Sequence, residues 1–321
     1  MIGVATIFDN LDNEGALLQG HCMLTLMGAQ GVLFDRNLSG SRPGCALFRQ
    51  TLNLSPRFTH LDDVARHINA TYSLLVVGSD EVWKIAAAPG GNRFLFPFPN
   101  HLVGADIDIP RVALAASSGS VNFGRLSSAV LDRLREHLLR FDLIYVRDAK
   151  TARNLRRLEI PIAGELPDPT FAFQFSAPPL GLDPDRCYEL PKGRIEQRSH
   201  DPITWLVAHA EMSSAIVHRM HSLISCLRGN TPCLIRDRRS KTRSLAKAFG
   251  LPESCWGDSI TRVKDEWPSD RIEATNERYQ QKWKSVFTEL EQRYRLAAGS
   301  DDTSGRRPGA TLAAPQHGSS V

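Results

Sequence analysis

Residues 74–83 read LLVVGSDEVW, and this stretch decides the fold. Leu74, Leu75, Val76 and Val77 form an unbroken apolar run with no polar residue alternating into it. That pattern is expected of a strand covered on both faces, as in a parallel sheet, and not of a strand with one wet face. The run stops at Gly78 and passes into Ser79, Asp80 and Glu81. A parallel strand that ends this way delivers polar groups to the carboxyl edge of its sheet, where open α/β sheets bind their ligands.

Two further strands to the C-terminal side behave alike. Residues 111–120, RVALAASSGS, run apolar into Ser117 and Ser118, and FDLIYVRD ends at Arg147. Helical patterns lie between and after them. One over Leu126 to Arg140 places Val130, Leu131, Leu134, Leu138 and Leu139 on a common face, and AKTARNLRRLEI follows Arg147. On the N-terminal side, Met1 to Phe8 is a first short strand, followed by a helix starting near Asn13 to Gly15 and ending at Gly28 or Gly31. Residues 35–57, with Pro43, Gly44 and Pro56, read as loop. THLDDVARHINA then opens a helix with a Thr59/Asp62 capping pattern. Gly90, Gly91 and the segment FLFPFPN read as a second irregular stretch. Strands alternating with helices through short connections predict a right-handed parallel α/β sheet. The convergence of Ser79/Asp80, Ser117/Ser118 and Arg147 on one edge predicts a site there.

After LPDPTF the text changes. Residues 176–200 are rich in proline, glycine and charge without periodicity, and read as a linker. Structure is expected to resume at Asp201 and Pro202, the latter suited to a first helical turn. SSAIV, HRMHSLISCLRG, TPCLI and SKTRSLAKAFG then alternate strand and helix, with Gly250 as the C-terminal stop of the last. From Ser269 to Leu296 one long helix carries Ile272, Tyr279, Trp283, Val286, Phe287, Leu290 and Tyr294 at helical spacing, a stripe expected to clasp two halves together. The predicted organisation is an N-terminal α/β domain over 1–175, a linker over 176–200, a shorter C-terminal α/β unit with its terminal helix over 201–297, and a disordered tail over 298–321.

The chain has 321 residues, 42% hydrophobic and 23% charged, which is globular composition with length enough for two cores. A net charge of +4 is too small for a nucleic-acid footprint and suits an anionic small molecule. Cys22, Cys45, Cys187, Cys226, Cys233 and Cys255 have no paired spacing, so neither a disulfide framework nor a zinc site is expected. No basic segment precedes the first apolar run, and no window approaches the roughly 18 apolar residues of a membrane span, which predicts a cytoplasmic protein. The basic run Arg228, Arg236, Arg238, Arg239, Lys241, Arg243 and Lys247 reads either as a solvated surface or as attraction for a diphosphate-linked acceptor or an anionic membrane surface.

GSDEVW, AASSG, FDLIYVRD, LPDPTF, HRMHSLISCLRGNTP and SKTRSLAKAFG, preceded by NEGALLQ, occur in the order found in the polysaccharide pyruvyl transferase family, which the chain resembles over residues 2–250. The resemblance implies two Rossmann-like units in an arrangement similar to GT-B glycosyltransferases, with the site between them. It implies transfer of the enolpyruvyl group of phosphoenolpyruvate to vicinal or 4,6 sugar hydroxyls as a pyruvate ketal, in exopolysaccharide or cell-surface glycan assembly. The donor would be a substrate, with no cofactor or metal required. The acceptor would be a sugar or lipid-linked oligosaccharide, which allows peripheral contact with the inner face of a membrane.

On this reading Arg147 and Arg219 are anion clamps, since guanidinium grips carboxylate and phosphate in bidentate fashion. His221 matches the family's Arg-x-His position and is the candidate general acid or phosphate ligand, with His218 as its competitor. Asp80 is an acceptor-hydroxyl base or a hydrogen-bond anchor. Lys241 matches the family's lysine after the last strand, and Gly15, Ser79 and Ser117 are candidate backbone or hydroxyl contacts. Glu14, Glu81 and Lys84 depart from the family's aromatic, glutamine and asparagine, with Glu81 and Lys84 placed to pair. Asp168 and His221 are only 53 positions apart, so the second unit looks abridged. Two alternatives follow: glycosyl transfer from a nucleotide sugar on the same fold, or a degenerate member that binds a glycan or protein without catalysis.

Overall fold

The computed structural model describes residues 1–10, 13–34, 43–85, 98–173, 186–190, 203 and 212–295. The first unit runs through β1 (Ile2–Ala5), α1 (Glu14–Met27), β2 (Gln30–Gly31), α2 (Pro43–Gln50), α3 (Leu61–Thr71), β3 (Leu74–Val77), β4 (Arg111–Ala116), α4 (Ser128–Leu138), β5 (Leu143–Val146), α5 (Ala149–Arg157) and β6 (Gly164–Glu165). Among these residues the strands form a six-stranded sheet in the order β2-β1-β3-β4-β5-β6, parallel at every pairing. The apolar run 74–77 is therefore an inner strand between β1 and β4, and all four of its residues are buried.

Alternation along the strands sorts the core into two layers. Ala5, Leu75, Val77 and Ala113 face one side, packed with Val64, Ile68, Leu134, Leu138, Ala152 and Leu155 from α3, α4 and α5. Val4, Leu74, Val76, Val112 and Leu114 face the other, against Met23 and Leu24 of α1. α1 is buried nearly all round and stops at Gly28, whose φ of 57° lets its N–H reach back to the carbonyls of Leu24 and Thr25.

The second unit contains β7 (Cys187–Leu190), β8 (Ser214–Val217), α6 (Met220–Arg228), β9 (Cys233–Ile235), α7 (Ser240–Phe249), α8 (Ile260–Glu266) and α9 (Ser269–Tyr294). Among the described residues its strands form a three-stranded parallel sheet in the order β7-β8-β9. Leu223, Ile224 and Leu227 of α6, Ala246 and Phe249 of α7, and Val263 of α8 build its core. The first turns of α9 join that core through Ile272, while Trp283, Val286 and Leu290 lie on the α1 side of the large sheet. Trp283 Nε1–H donates to the Pro167 carbonyl at 3.1 Å, Tyr145 to Glu289 at 2.9 Å and Tyr294 to Asp142 at 3.0 Å. The helix clasps both halves, as its stripe predicted.

Three local expectations are corrected. Residues 43–50, read as loop, form α2: Pro43 occupies the opening position, where a missing N–H breaks no helical bond, and Cys45 and Phe48 pack on Leu17. α3 starts after His60, with no side-chain cap, rather than from a Thr59/Asp62 box. β7 lies inside the stretch read as linker; a short mixed CYEL segment among prolines carries no periodic signal, and its pairing with β8 makes it a strand. The helix start expected at Asp201 and Pro202, the Gly90–Gly91 stretch with most of FLFPFPN, and the tail 298–321 lie outside the described residues. All six cysteines are free, with Cys187 half-buried and the rest buried. Among the described residues no helix is long and apolar enough to cross a membrane, and no group of three or more His, Cys, Asp or Glu is placed to hold a metal ion.

The clasp gives a stability test. Trp283→Ala removes a fully buried indole shared by the large sheet and the Pro167 carbonyl, and should destabilise the protein by about 3–5 kcal/mol in urea unfolding. Tyr294→Phe removes a single exposed hydrogen bond and should change stability by about 1 kcal/mol or less.

Candidate functional site

The strand order reverses between β1 and β3: the chain leaves β1 for β2 on one side and continues through β3 to β6 on the other. Loops that diverge at such a point leave a crevice at the carboxyl edge. α1 starts there after β1, Ser79 and Asp80 follow β3, Arg147 follows β5, and Asp168 follows β6. α6 of the second unit brings His221 to the same place.

The turn after β3 is tightly specified. Gly78 has φ 119°, and a Cβ on it would lie 2.2 Å from the Leu114 carbonyl oxygen, so no side chain fits. Asp80 has φ 77°, a left-handed conformation that costs a non-glycine residue about 1–3 kcal/mol and persists only where surrounding contacts impose it. Those contacts are the Ser117 N–H donating to the Asp80 carbonyl at 2.9 Å and Arg147 Nη1 donating to Asp80 Oδ1 at 3.3 Å.

Gln19 of α1 is the hub. Its Oε1 accepts from Ser79 Oγ at 2.6 Å and from Arg147 Nη1 at 3.1 Å, two donors that fix which end of the amide is oxygen. The Nε2 end then donates to His221 Nε2 at 2.6 Å. That assignment, made from the network, leaves Nε2 as the acceptor and puts the proton of the neutral imidazole on Nδ1. His221 lies directly on the backbone of α1: a Cβ on Gly15 would sit 1.9 Å from its Nδ1. Glycine at position 15 is thus a requirement for the ring's place.

Asp168 completes the cluster. Its Oδ1 accepts from the Thr170 N–H and hydroxyl at 3.2 and 2.8 Å. Its Oδ2 lies 3.7 Å from His221 Nε2 and 3.8 Å from Arg147, near enough for charge attraction and too far for a hydrogen bond. That buried oxygen has no hydrogen-bond partner among the described residues. Burial acts to raise the Asp168 carboxyl, but His221, Arg147 and Thr170 outweigh it and hold it below the ordinary range. Burial likewise opposes the charge on Arg147, whose side chain is 9% exposed, and Asp80, Asp168, Glu81 and Asp148 more than offset it.

Around this cluster stand two more cations on the second unit. Arg219, which precedes α6, pairs with Glu14 at 3.0 Å, and Lys241 in the first turn of α7 pairs with Glu81 Oε1 at 3.0 Å. Lys84 holds the other oxygen of Glu81 at 3.2 Å, so the pairing anticipated between residues 81 and 84 is present. Burial would raise the Glu81 carboxyl, yet Lys241, Lys84 and Arg147 bring it down to about 2.

The structure thus gathers Gly15, Ser79, Asp80, Arg147 and His221, sets Arg219 and Lys241 at their border, and engages Ser117 elsewhere. The Ser117 hydroxyl donates to Asp148 at 2.7 Å and accepts from the Gly119 N–H at 3.0 Å, which shapes the turn before α5. In the basic run, Arg228 donates to the Thr170 carbonyl, Arg236 to that of Gly257, Arg239 grips Asp237 and Arg243 lies over Trp256. Lys241 is the member paired with a carboxylate beside Asp80. Sequence reasoning gave no role to Gln19 or Asp168. The available signals were a lone amide in the apolar run GALLQGHCML and an acid between two prolines in LPDPTF.

Glu81 gives a pH test. Its carboxyl falls from an ordinary 4.5 to about 2 on folding, so its contribution to stability is complete above the higher value and is lost as pH drops toward the lower. The stability difference between wild type and Glu81→Gln, measured by urea unfolding, should shrink between pH 5 and pH 3 and stay constant from pH 6 to 8 (about the ordinary carboxylate range and above it).

No curated protein matches the sequence. The family model for polysaccharide pyruvyl transferase matches residues 13–240. That span covers well over half of the chain, from the residue before α1 to the first residue of α7, and contains Gln19, Ser79, Asp80, Arg147, Asp168, Arg219 and His221. The chain belongs to the polysaccharide pyruvyl transferase family.

Proposed function

We propose that this protein transfers the pyruvyl group of phosphoenolpyruvate to a pair of hydroxyls on a sugar of an exopolysaccharide or cell-surface glycan. Family membership implies pyruvyl transfer onto a polysaccharide; the donor, the ketal product and the setting are our reading. In this scheme C3 of the donor takes a proton and C2 becomes cationic. One acceptor hydroxyl bonds to C2, the C2–O bond to phosphate breaks, and the second hydroxyl closes the ketal. The two hydroxyl protons balance the proton delivered to C3 and the one that leaves with phosphate.

The observation that carries this reading is the buried Asp168 Oδ2, without a hydrogen-bond partner among the described residues and 3.7 Å from His221 Nε2. Neutral His221 accepts from Gln19. Once protonated at Nε2 it has a proton to donate and a carboxylate oxygen within a small ring shift, while Gln19 keeps its amide oxygen on Ser79 and Arg147. A histidine with a neutral partner and a charged partner at one nitrogen suits a proton donor to departing phosphate. Asp168 would stabilise the imidazolium. Arg147, already committed to Asp80 and Asp168, would set the field of the site, with Asp80 as the anchor of the acceptor hydroxyl. Arg219 and Lys241, more exposed, would meet the donor's phosphate and carboxylate. Two α/β units contributing opposite walls would resemble the GT-B arrangement, with the acceptor free or lipid-linked and no cofactor beyond the donor.

Purified protein with phosphoenolpyruvate and a panel of sugar acceptors should release inorganic phosphate only when acceptor is present. His221→Ala should lower that rate by about 100-fold or more while the melting temperature stays near wild type; an unchanged rate removes His221 from the chemistry. Gly15→Ala should also abolish turnover, because the new methyl displaces the imidazole, although alanine normally favours a helix. Release of a nucleoside diphosphate from a nucleotide sugar, with none of phosphate from phosphoenolpyruvate, would establish glycosyl transfer instead.

A further inference from the structure

The cations of this site fall into two kinds. Arg147 is 9% exposed and held among buried acceptors, so its partners cannot be exchanged without stranding a charge. Arg219 and Lys241 are each 34% exposed, and each is held by a carboxylate that reaches over from the large unit. Both stand at the start of a helix whose first turn contains no acidic residue and whose N-terminal residue makes no side-chain cap. A cation beside the positive end of a helix is an anion-seeking position, and here the protein's own Glu14 and Glu81 fill it.

We propose that Glu14 and Glu81 are internal counter-ions that occupy Arg219 and Lys241 in the unliganded protein and are displaced from them by the anionic groups of the donor. The inference rests on reading this site as one for a phosphate- and carboxylate-bearing donor. Geometry permits the exchange: both cations are one-third exposed, so opening either pair leaves the cation in contact with water, and a charge-assisted bond to phosphate is among the stronger hydrogen bonds. Glu81 is also provided for after the exchange. Its Oε2 stays on Lys84 at 3.2 Å when Lys241 leaves Oε1, so no buried carboxylate is abandoned. The two pairs join the units as well, so displacement loosens the larger unit's hold on α6 and α7 as the ligand replaces it. Glu14 and Glu81 therefore set how tightly the anion binds, in competition with it.

Calorimetric titration with phosphoenolpyruvate, and separately with inorganic phosphate, tests the idea without requiring turnover. Glu81→Gln should bind both about fivefold more tightly than wild type, Glu14→Gln should do the same for phosphoenolpyruvate, and Lys241→Met should bind both more weakly. Wild-type binding that neither glutamine variant tightens overturns the counter-ion role while leaving the donor reading in place. No binding of either anion by wild type or by any variant overturns both. Glu14→Gln provides the same test by itself should Glu81→Gln fail to fold.

Discussion

A guanidinium placed at the end of an inner strand governs the architecture of the site. Arg147 emerges from β5 into an environment where its side chain is 9% exposed, and a charge so placed is tolerated only with several good partners. Those partners come from separate parts of the chain: Asp80 after β3, Asp168 after β6 and the Gln19 amide from α1. None of these is close to Arg147 in sequence except through the parallel sheet that aligns the strand ends. The sheet order and the buried charge are thus two sides of one constraint. Removing one partner of such a set typically costs several kcal/mol, because it leaves the remaining charge uncompensated, while the intact set adds little net stability. The cluster is better understood as fixing geometry than as holding the fold together.

Gln19 shows how that geometry is transmitted. An amide can present oxygen on one side and N–H on the other, so a single side chain ties a cation in the large unit to an imidazole in the small one. A carboxylate at position 19 would satisfy Arg147 but offer His221 no donor. A longer or charged basic residue would repel Arg147. Gly15, one turn earlier, lacks a Cβ that would otherwise lie 1.9 Å from the ring's Nδ1. Two residues on one helix therefore decide both where His221 sits and which of its nitrogens carries a proton.

Much of this was legible in the sequence, and the legible part follows from periodicity. The continuous run 74–77 reads as a strand covered on both faces, and polar residues at the ends of neighbouring parallel strands are expected at one edge. Gly28 and Gly250 ended their helices where a left-handed residue was needed. What escaped was what no local pattern encodes. α2 hides behind Pro43 and Gly44, which read as breakers although proline is harmless at a first helical position. β7 is a strand because β8 pairs with it, and its four residues have no alternation to show. Gln19 and Asp168 gain meaning only from neighbours far along the chain, Ser79 and Arg147 for one and His221 for the other. Ser117 adds a feature its sequence does not announce: its hydroxyl is engaged by Asp148 and Gly119.

What the second unit supplies to the site comes from the starts of two helices. His221 and Lys241 stand in the first turns of α6 and α7, after β8 and β9, so two strand-helix steps of a parallel sheet suffice to present both. Among the described residues that sheet has three strands, and α9 adds to its core. Within α9, Ile272 packs in the second unit's core, and eleven residues later Trp283 is anchored beneath the large sheet and to the Pro167 carbonyl, next to Asp168. The same helix therefore packs into the second unit's core and fixes the segment that carries the carboxylate facing His221. The two walls are thus held together by α9 as well as by the Gln19–His221, Glu14–Arg219 and Glu81–Lys241 contacts.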